Sequence, residues 1–213
     1  MNKILLFGGT FDPIHKGHIN LLVEIQRIFD FDKIYLVPSK IPPHKKRKIA
    51  PDKDRVKMIE LAISDLPADK FFISDVEINS QRVSYTYNTL SNYNQFYSPK
   101  ELFFLVGSDI FSTIKTWYKW EELLTLSNFI LINRPGCPFN EMLQKIPAKL
   151  LQYIILYEDF EFGMSSKIIL TKVNEIPISS TQIRRSIKNG KCSNFLDEKV
   201  YNYIIKNKLY MEE

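Results

Sequence analysis

The sequence predicts an α/β fold, an open and doubly wound parallel sheet with helices on both faces. Short apolar runs alternate with stretches of helical spacing through most of the 213 residues. The first run, at 4–7, is apolar without interruption, which is typical of a strand buried on both faces. Segments rich in glycine, histidine or arginine follow the predicted strands. Ligands bind at the carboxyl ends of the strands in such sheets, so the pattern favours a Rossmann-like arrangement.

The individual elements follow from apolar spacing and from breaker residues. Strands are expected at 4–7, 33–37, 71–74, 102–106, 129–132, 153–156 and 167–171, and the pattern allows a kinked extension of the third to 78. Helices are expected at 19–29, 52–64, 84–96, 117–124, 141–145, 179–188 and 197–206, with a helical stretch from 109 to about 113. Asp52 and Ser84 are expected as N-caps. No repeat or linker divides the chain, so residues 1–213 are interpreted as one domain.

Charge and composition narrow the class of partner. The formal net charge of +5 suits an anionic ligand and is too small to indicate nucleic acid. Two distant cysteines without a C-x-x-C pattern favour a reduced, cytoplasmic chain. The apolar run after the first residues is too short for a signal peptide, and none approaches the roughly 20 residues that span a bilayer. Neither a membrane nor a nucleic-acid partner is expected.

The most informative segment is the glycine loop, residues 8–18, between the first strand and the first helix. Gly8 and Gly9 allow the backbone to approach a ligand closely. The following helix start offers unpaired amides and the positive end of the helix dipole. His15 and His18 add donors at that point. The loop therefore predicts a polyphosphate site with no evident base or nucleophile; the alternative is a glycine turn with surface histidines.

Two further segments carry cationic or hydroxyl side chains. The basic loop at 38–48 contains His44 and Lys45, which could close over phosphates or form part of a solvated loop. At 178–184, small hydroxyl residues precede Arg184 at a helix start. That pattern fits an anion site with a guanidinium fork and fits simple N-capping equally well.

A last segment with possible ligand contacts follows the fourth strand. Asp109 lies just beyond Gly107 and could accept hydrogen bonds from a ribose, or cap a helix. Trp117 could stack on a planar ring or pack in the core. The run Gly-Met-Ser-Ser-Lys at 163–167, with His-x-Gly-His at 15–18, faintly resembles class I aminoacyl-tRNA synthetases. The chain is short for a synthetase, so that match is interpreted as chance.

The end motifs resemble a known superfamily. The pattern G-G-T-F-D-P-x-H-x-G-H at 8–18 and I-S-S-T-x-I-R at 178–184 are similar to the nucleotidyltransferase superfamily of adenylyltransferases. The middle of the chain resembles the bacterial nicotinate-nucleotide adenylyltransferases. The matching segments there are Val37-Pro38, Pro42-Pro43-His44-Lys45, Ser84-Tyr85-Thr86, Val106-Gly107-Ser108-Asp109, Thr116-Trp117-Tyr118 and Arg134-Pro135-Gly136.

The resemblance implies adenylyl transfer from ATP to nicotinate mononucleotide, with magnesium held mainly by substrate phosphates. It implies catalytic roles for His15, His18 and Arg184. It implies that ATP is bound by Gly8, Gly9, Thr10, Phe11, Gly107, Asp109, Arg134, Ser179, Ser180 and Thr181. It implies that the nicotinate nucleotide is bound by Lys40, His44, Lys45, Tyr85, Thr86, Trp117 and Tyr118. Lys40 departs from an asparagine common in that loop, and a homo-oligomer is left open.

Elementary chemistry agrees with this implication. The attacking phosphate is already an anion, so the reaction needs positioning and cationic donors more than a base. The nearest alternative is phosphopantetheine adenylyltransferase, a family that usually has threonine where His15 stands and a shorter chain. Another is a non-catalytic nucleotide-binding or RNA-binding module. The intact His15, His18 and Arg184, and the absence of basic–aromatic patches, argue against it.

Overall fold

The strands of the computed structural model, which describes residues 1–40, 49–134, 136–174, 176–191 and 194–211, form one parallel sheet. Seven strands lie in the order β3-β2-β1-β4-β5-β7-β6, and every neighbouring pair is parallel. The strands are β1 (Ile4–Gly9), β2 (Lys33–Pro38), β3 (Phe71–Ile73), β4 (Leu102–Gly107), β5 (Asn128–Ile132), β6 (Ile154–Leu156) and β7 (Ile168–Thr171). The predicted parallel sheet is confirmed.

The first six described helices lie between successive strands, and the last two follow the last strand. Within the described ranges they are α1 (Lys16–Phe29), α2 (Asp52–Ile63), α3 (Thr86–Tyr93), α4 (Ser108–Phe111), α5 (Leu123–Leu126), α6 (Phe139–Lys145), α7 (Ser180–Lys188) and α8 (Glu198–Lys206). Short 3-10 turns lie at Ile114–Thr116, Trp120–Glu122, Ala148–Tyr153 and Tyr157–Asp159. No helix in these ranges is long and apolar enough to cross a membrane.

Alternate strand residues divide the core into two layers, as side chains of successive strand positions point to opposite faces. Leu5 and Phe7 of β1 pack with apolar residues of α1, α2, α7 and α8. Ile4 and Leu6 pack with residues of α3, α4, α5 and α6. Helices therefore cover both faces, which confirms the doubly wound arrangement and explains the uninterrupted apolar run of β1.

The strand order places a ligand crevice beside β1. The chain runs outward from β1 to β2 and β3, and then returns to β4 on the other side of β1. The switch between these directions opens a crevice at the carboxyl ends of β1 and β4. Gly9 ends β1 and Gly107 ends β4, so both predicted glycine segments lie at this edge.

Two predicted N-caps are wrong. Pro51 occupies the N-cap of α2, and Asp52 is its first helical residue, where the carboxylate accepts a 2.6 Å hydrogen bond from Arg55. Tyr85 is the N-cap of α3, while the hydroxyl of Ser84 accepts a hydrogen bond from the amide of Lys40 at 3.1 Å. In both cases a contact outside the cap uses the polar side chain.

Several predicted boundaries also differ. The helix predicted at 117–124 is broken because Lys119 adopts a left-handed conformation (φ 51°), so α5 starts only at Leu123. The third strand ends at Ile73, and the amide of Asn79 instead closes a turn on the carbonyl of Asp75. Helix α1 begins at Lys16, earlier than predicted, because His15 takes its N-cap position.

Candidate active site

The glycine loop leaves the sheet at the end of β1. A Cβ atom on Gly9 would lie 2.9 Å from the ring of Phe11, so only glycine fits there without a shift. Phe11 has a left-handed backbone (φ 47°) and a ring buried against Phe7, with centroids 5.5 Å apart. Because its ring belongs to the core, any contact of Phe11 with a nucleotide must come from its backbone.

His15 and His18 form a stacked pair at the start of α1. Their ring centroids are 3.7 Å apart, and the edge of Phe11 packs on His18 at 5.3 Å. The backbone amide of His15 donates a hydrogen bond to Nδ1 of His18 at 3.2 Å. In the neutral ring of His18 the proton must then lie on Nε2. The first turn of α1 thus fixes Nε2–H of His18 as a donor.

His15 differs from its partner in burial and charge. Only 6% of the residue is exposed. Burial, with a smaller contribution from the positive charge of Arg134, lowers the pKa of the His15 imidazole from 6.5 to about 4. His15 is therefore neutral at pH 7 and can act only as an uncharged donor. Its buried Nδ1 has no hydrogen-bond partner among the described residues, and a Cβ on Gly17 would lie 3.0 Å from that atom.

The first turn of α7 packs directly on the glycine loop. The hydroxyl of Ser180 donates to the carbonyl of Pro13 at 2.9 Å. Nη1 of Arg184 donates to the carbonyl of Asp12 at 2.6 Å, and Nη2 donates to the hydroxyl of Thr181 at 3.0 Å. These bonds bring the starts of α1 and α7, two motifs from opposite ends of the chain, to one place.

Ser179 has a capping role beside this contact. Its hydroxyl accepts a hydrogen bond from the amide of Gln182 at 3.3 Å, and the Gln182 side chain accepts from the amide of Ser179 at 2.8 Å. This is a reciprocal capping box. Ser179 therefore caps the helix, whereas Ser180 and Arg184 contact the glycine loop and Thr181 contacts Arg184.

The ends of β4 and β5 form a second polar group. Nε of Arg134 lies 3.9 Å from Oδ1 of Asp109. A Cβ on Gly107 would lie 2.5 Å from that oxygen and 2.8 Å from the Arg134 side chain. The buried hydroxyl of Ser108 donates to the carbonyl of Cys137 at 2.5 Å and accepts from the amide of Arg134 at 3.1 Å. A side chain at position 107 would therefore displace the two charged side chains that lie over the glycine.

Aromatic residues occupy the opposite side, at the start of α3. The rings of Tyr85 and Tyr118 stack with centroids 4.9 Å apart. Trp117 is half-buried and packs by its edge on Phe104 at 6.5 Å and Phe111 at 6.4 Å. Part of the Trp117 ring therefore packs on the core and part stays accessible, so its stacking on a ligand ring stays a prediction.

The remaining predicted residues are placed as follows. Thr86 is the first residue of α3, and the amide of Lys40 is tied to Ser84 at 3.1 Å. His44 and Lys45 lie outside the described residues. The Gly-Met-Ser-Ser-Lys run is held at the start of β5, where the Asn128 side chain donates to the carbonyl of Met164 at 3.0 Å. It therefore lies at the amino edge of the sheet, opposite the crevice.

Two residues without a predicted role, Arg55 and Tyr210, support the glycine loop from outside. Arg55 is fully buried, and its Nη1 donates to the carbonyl of Thr10 at 2.7 Å. Asp12 accepts a hydrogen bond from the hydroxyl of Tyr210 at 2.7 Å. Arg55 could have been found from the sequence, because this charged residue lies on the same face of α2 as the buried Met58. Tyr210 gave no signal, because nothing near it in the sequence marks it.

The donor set indicates which charge the crevice accepts. Within the described residues, no three histidine, cysteine or acidic side chains group closely enough to hold a metal ion. The loop and α7 offer instead imidazole, hydroxyl, amide and guanidinium groups. Such donors fit phosphate oxygens, and a divalent cation fits there as a partner of those phosphates, since Mg²⁺ usually keeps its waters and bridges phosphates.

Comparison with known sequences identifies similar proteins along the whole chain. The family model described as cytidylyltransferase-like matches residues 6–186. A probable nicotinate-nucleotide adenylyltransferase of Clostridium kluyveri is 38% identical, covering 99% of this chain and 100% of that protein. Another, from Clostridium botulinum strain Loch Maree, is 36% identical and covers 99% of both chains.

Comparison with solved structures identifies the same architecture. Plasmodium falciparum nicotinic acid mononucleotide adenylyltransferase complexed with NaAD superposes with a TM-score of 0.76 at 23% identity. The match covers 99% of this chain and 98% of that one. The same enzyme complexed with APC gives a TM-score of 0.72. At this level of identity the match supports the fold, which agrees with the sheet described above.

Proposed function

The chain belongs to the cytidylyltransferase-like family and, within it, to the nicotinate-nucleotide adenylyltransferases. From this premise we propose that it transfers the adenylyl group of ATP to nicotinate mononucleotide. The products are nicotinate adenine dinucleotide (deamido-NAD) and pyrophosphate, and the reaction is a step of NAD biosynthesis. The chain is thus a transferase whose partners are ATP and nicotinate mononucleotide.

The observation that carries this proposal is the contact between the starts of α1 and α7. Each helix start offers unpaired amides and a positive dipole end. The bonds from Ser180 and Arg184 to the carbonyls of Pro13 and Asp12 hold these two starts together. A single helix start suits one phosphate, whereas two facing starts with His18 and Arg184 suit a chain of phosphates.

The chemical step follows from this placement. An oxygen of the mononucleotide phosphate attacks the α-phosphorus of ATP, and the bond from that phosphorus to the bridging oxygen breaks as pyrophosphate leaves. We assign Nε2–H of His18 to the α-phosphate, where charge develops, and Arg184 with Ser180 and Thr181 to the β- and γ-phosphates. His15 adds a neutral donor, because burial keeps its imidazole uncharged. No base is needed, since the nucleophile is an anion.

The two nucleosides are assigned to opposite sides of the loop. Adenosine is proposed to lie by the ends of β1, β4 and β5, against the backbone of the glycine loop. The residues assigned to it are Gly8, Gly9, Thr10, Phe11, Gly107, Asp109 and Arg134, with Ser179 as the cap of the adjoining helix. The pyridine ring is assigned to the aromatic group around Trp117. Its partners are Tyr85, Thr86 and Tyr118, with Lys40, His44 and Lys45 on the mononucleotide side.

A divalent cation completes the site. The nucleotidyltransferase family generally uses one, and we propose magnesium. When bound to the phosphates, magnesium neutralises charge that would repel the attacking phosphate. The cationic and amide donors of the chain hold the same phosphates from the protein side.

We also propose that residues 1–213 form one domain, and that the enzyme works in the cytoplasm with these metabolites.

A product assay tests the proposal directly. The protein is incubated with ATP, magnesium and one of three acceptors: nicotinate mononucleotide, nicotinamide mononucleotide or phosphopantetheine. Chromatography should detect nicotinate adenine dinucleotide and pyrophosphate in equal amounts with the first acceptor. Adenylylation of phosphopantetheine alone would refute the proposal. Absence of any adenylylated product would favour a nucleotide-binding module without catalysis.

A further inference from the structure

The chain segment after α8 returns to the glycine loop. Lys208 and Tyr210 have left-handed backbones (φ 51° and 65°), and the amide of Leu209 donates to the carbonyl of Ile204 at 3.0 Å. These features end α8 and reverse the chain. Leu209 and Tyr210 then pack on the core layer beneath α1 and α7. The hydroxyl of Tyr210 reaches the Asp12 carboxylate, to which it donates at 2.7 Å.

Asp12 joins three parts of the molecule at this point. Its carboxylate has no exposed surface. Oδ1 accepts hydrogen bonds from Tyr210 and from the amide of Ala50, the latter at 3.2 Å. Nη1 of Arg184 lies 3.9 Å from Oδ2 while it donates to the backbone carbonyl of the same residue. The C-terminal segment and the guanidinium assigned to the triphosphate therefore share one buried carboxylate.

The donors to the Asp12 carboxylate bear on where the guanidinium can lie. A buried carboxylate needs strong donors, since burying an unsatisfied charge is costly. Tyr210 and Ala50 donate to Oδ1, whereas Nη1 of Arg184 lies 3.9 Å from Oδ2, which is longer than a direct hydrogen bond. Without the tyrosine hydroxyl, the carboxylate gains by turning to Arg184 and closing that gap. The guanidinium would then move toward Asp12 and away from a bound phosphate.

We propose that Tyr210 is a positioning residue for Arg184, acting through the carboxylate of Asp12. The inference rests on the proposed adenylyl transfer, in which Arg184 binds the ATP phosphates. It assigns to the C-terminal segment a part in the site at the opposite end of the chain. Burial and the negative charge of Asp12 raise the pKa of Tyr210, so its hydroxyl stays a donor at every working pH.

The test compares two Tyr→Phe variants by steady-state kinetics. Tyr203→Phe is the matched control. Tyr203 lies in the same C-terminal region and donates to Asp54 of α2 at 2.8 Å, without touching the loop. Tyr210→Phe should lower kcat/KM for ATP about tenfold, because the displaced Arg184 would lose a charged hydrogen bond to phosphate. The KM for nicotinate mononucleotide should change less than about twofold in both variants, as neither hydroxyl contacts that side.

A double-mutant cycle separates positioning from plain stability. In an Asp12→Asn background no negative charge attracts Arg184, so adding Tyr210→Phe should lower kcat/KM for ATP less than about threefold. Three results would each overturn the inference. They are full additivity of the two substitutions, equal kinetics of the two Tyr→Phe variants, and a thermal melt in which Tyr210→Phe alone proves to be unfolded. A wild-type protein that forms no dinucleotide would instead refute the proposed function.

Discussion

The hydrogen bond between His15 and His18 allows the two nitrogens of His18 to be tested separately. Nδ1 accepts from the His15 amide, and Nε2–H is the donor assigned to the transferring phosphate. Asparagine places its amide oxygen near the position of Nδ1 but has nothing at Nε2. His18→Asn should therefore keep the first turn of α1 and lose the phosphate donor, whereas His18→Ala loses both.

The expected magnitudes follow from these two roles. Loss of one preorganised donor to a developing charge costs about 3 kcal/mol, or 10²–10³ in kcat, and both variants should show it. Loss of the contact at the helix start should cost His18→Ala an additional ~1 kcal/mol of unfolding free energy. The KM for ATP should change far less than kcat, because the donor acts mainly in the transition state.

The assays are pyrophosphate release for kcat and urea unfolding for stability. The outcome that would refute the reasoning is a kcat for His18→Asn within about fivefold of wild type, since catalysis would then not depend on Nε2. Equal unfolding free energies of the Ala and Asn variants would refute only the structural role of Nδ1.

Three further predictions concern other parts of the site. Trp117→Ala should raise the KM for nicotinate mononucleotide more than that for ATP in the same kinetic assay, and equal effects would contradict stacking. Arg55→Met should cost about 2–4 kcal/mol in urea unfolding, because it leaves the Thr10 carbonyl unpaired, whereas the exposed Lys57→Met should cost under about 0.5. The pKa of His15 falls from 6.5 to about 4 on folding. This shift contributes at most ~3 kcal/mol to the unfolding free energy, which is present above pH 6.5 and lost as the pH falls to 4. Because glutamine does not titrate, the unfolding free energy of His15→Gln should fall correspondingly less over the same pH range.

Much of the fold followed from local pattern. Uninterrupted apolar runs identified β1, β2, β4 and β5 within about two residues, because buried parallel strands need no polar alternation. Helix starts were less predictable where another group bonds to the side chain that was expected to cap the helix. Asp52 and Ser84 are good N-cap residues in isolation, but Arg55 and Lys40 use their side chains elsewhere.

The chemistry of the site was predictable only in part. The glycine loop and the 178–184 motif indicated phosphate binding, because donor-rich helix starts are visible as short sequence patterns. The charge state of His15 was not visible. It depends on burial and on Arg134, which comes from the far side of β4. N-capping was one of the two interpretations of 178–184, and Ser179 fulfils it, but no local pattern indicated that Ser180 would contact Pro13.

The sequence alone determined the strand–loop–helix order and which residue types could bind a polyphosphate, since these depend on neighbours a few positions apart. The tertiary structure decided which of these residues meet, which are charged and what holds them. Tyr210 and Asp12 are 198 positions apart, and Arg184 and Asp12 are 172 apart. Contacts of that range arise only when the sheet brings distant segments to one edge, and burial there sets the electrostatics of the site.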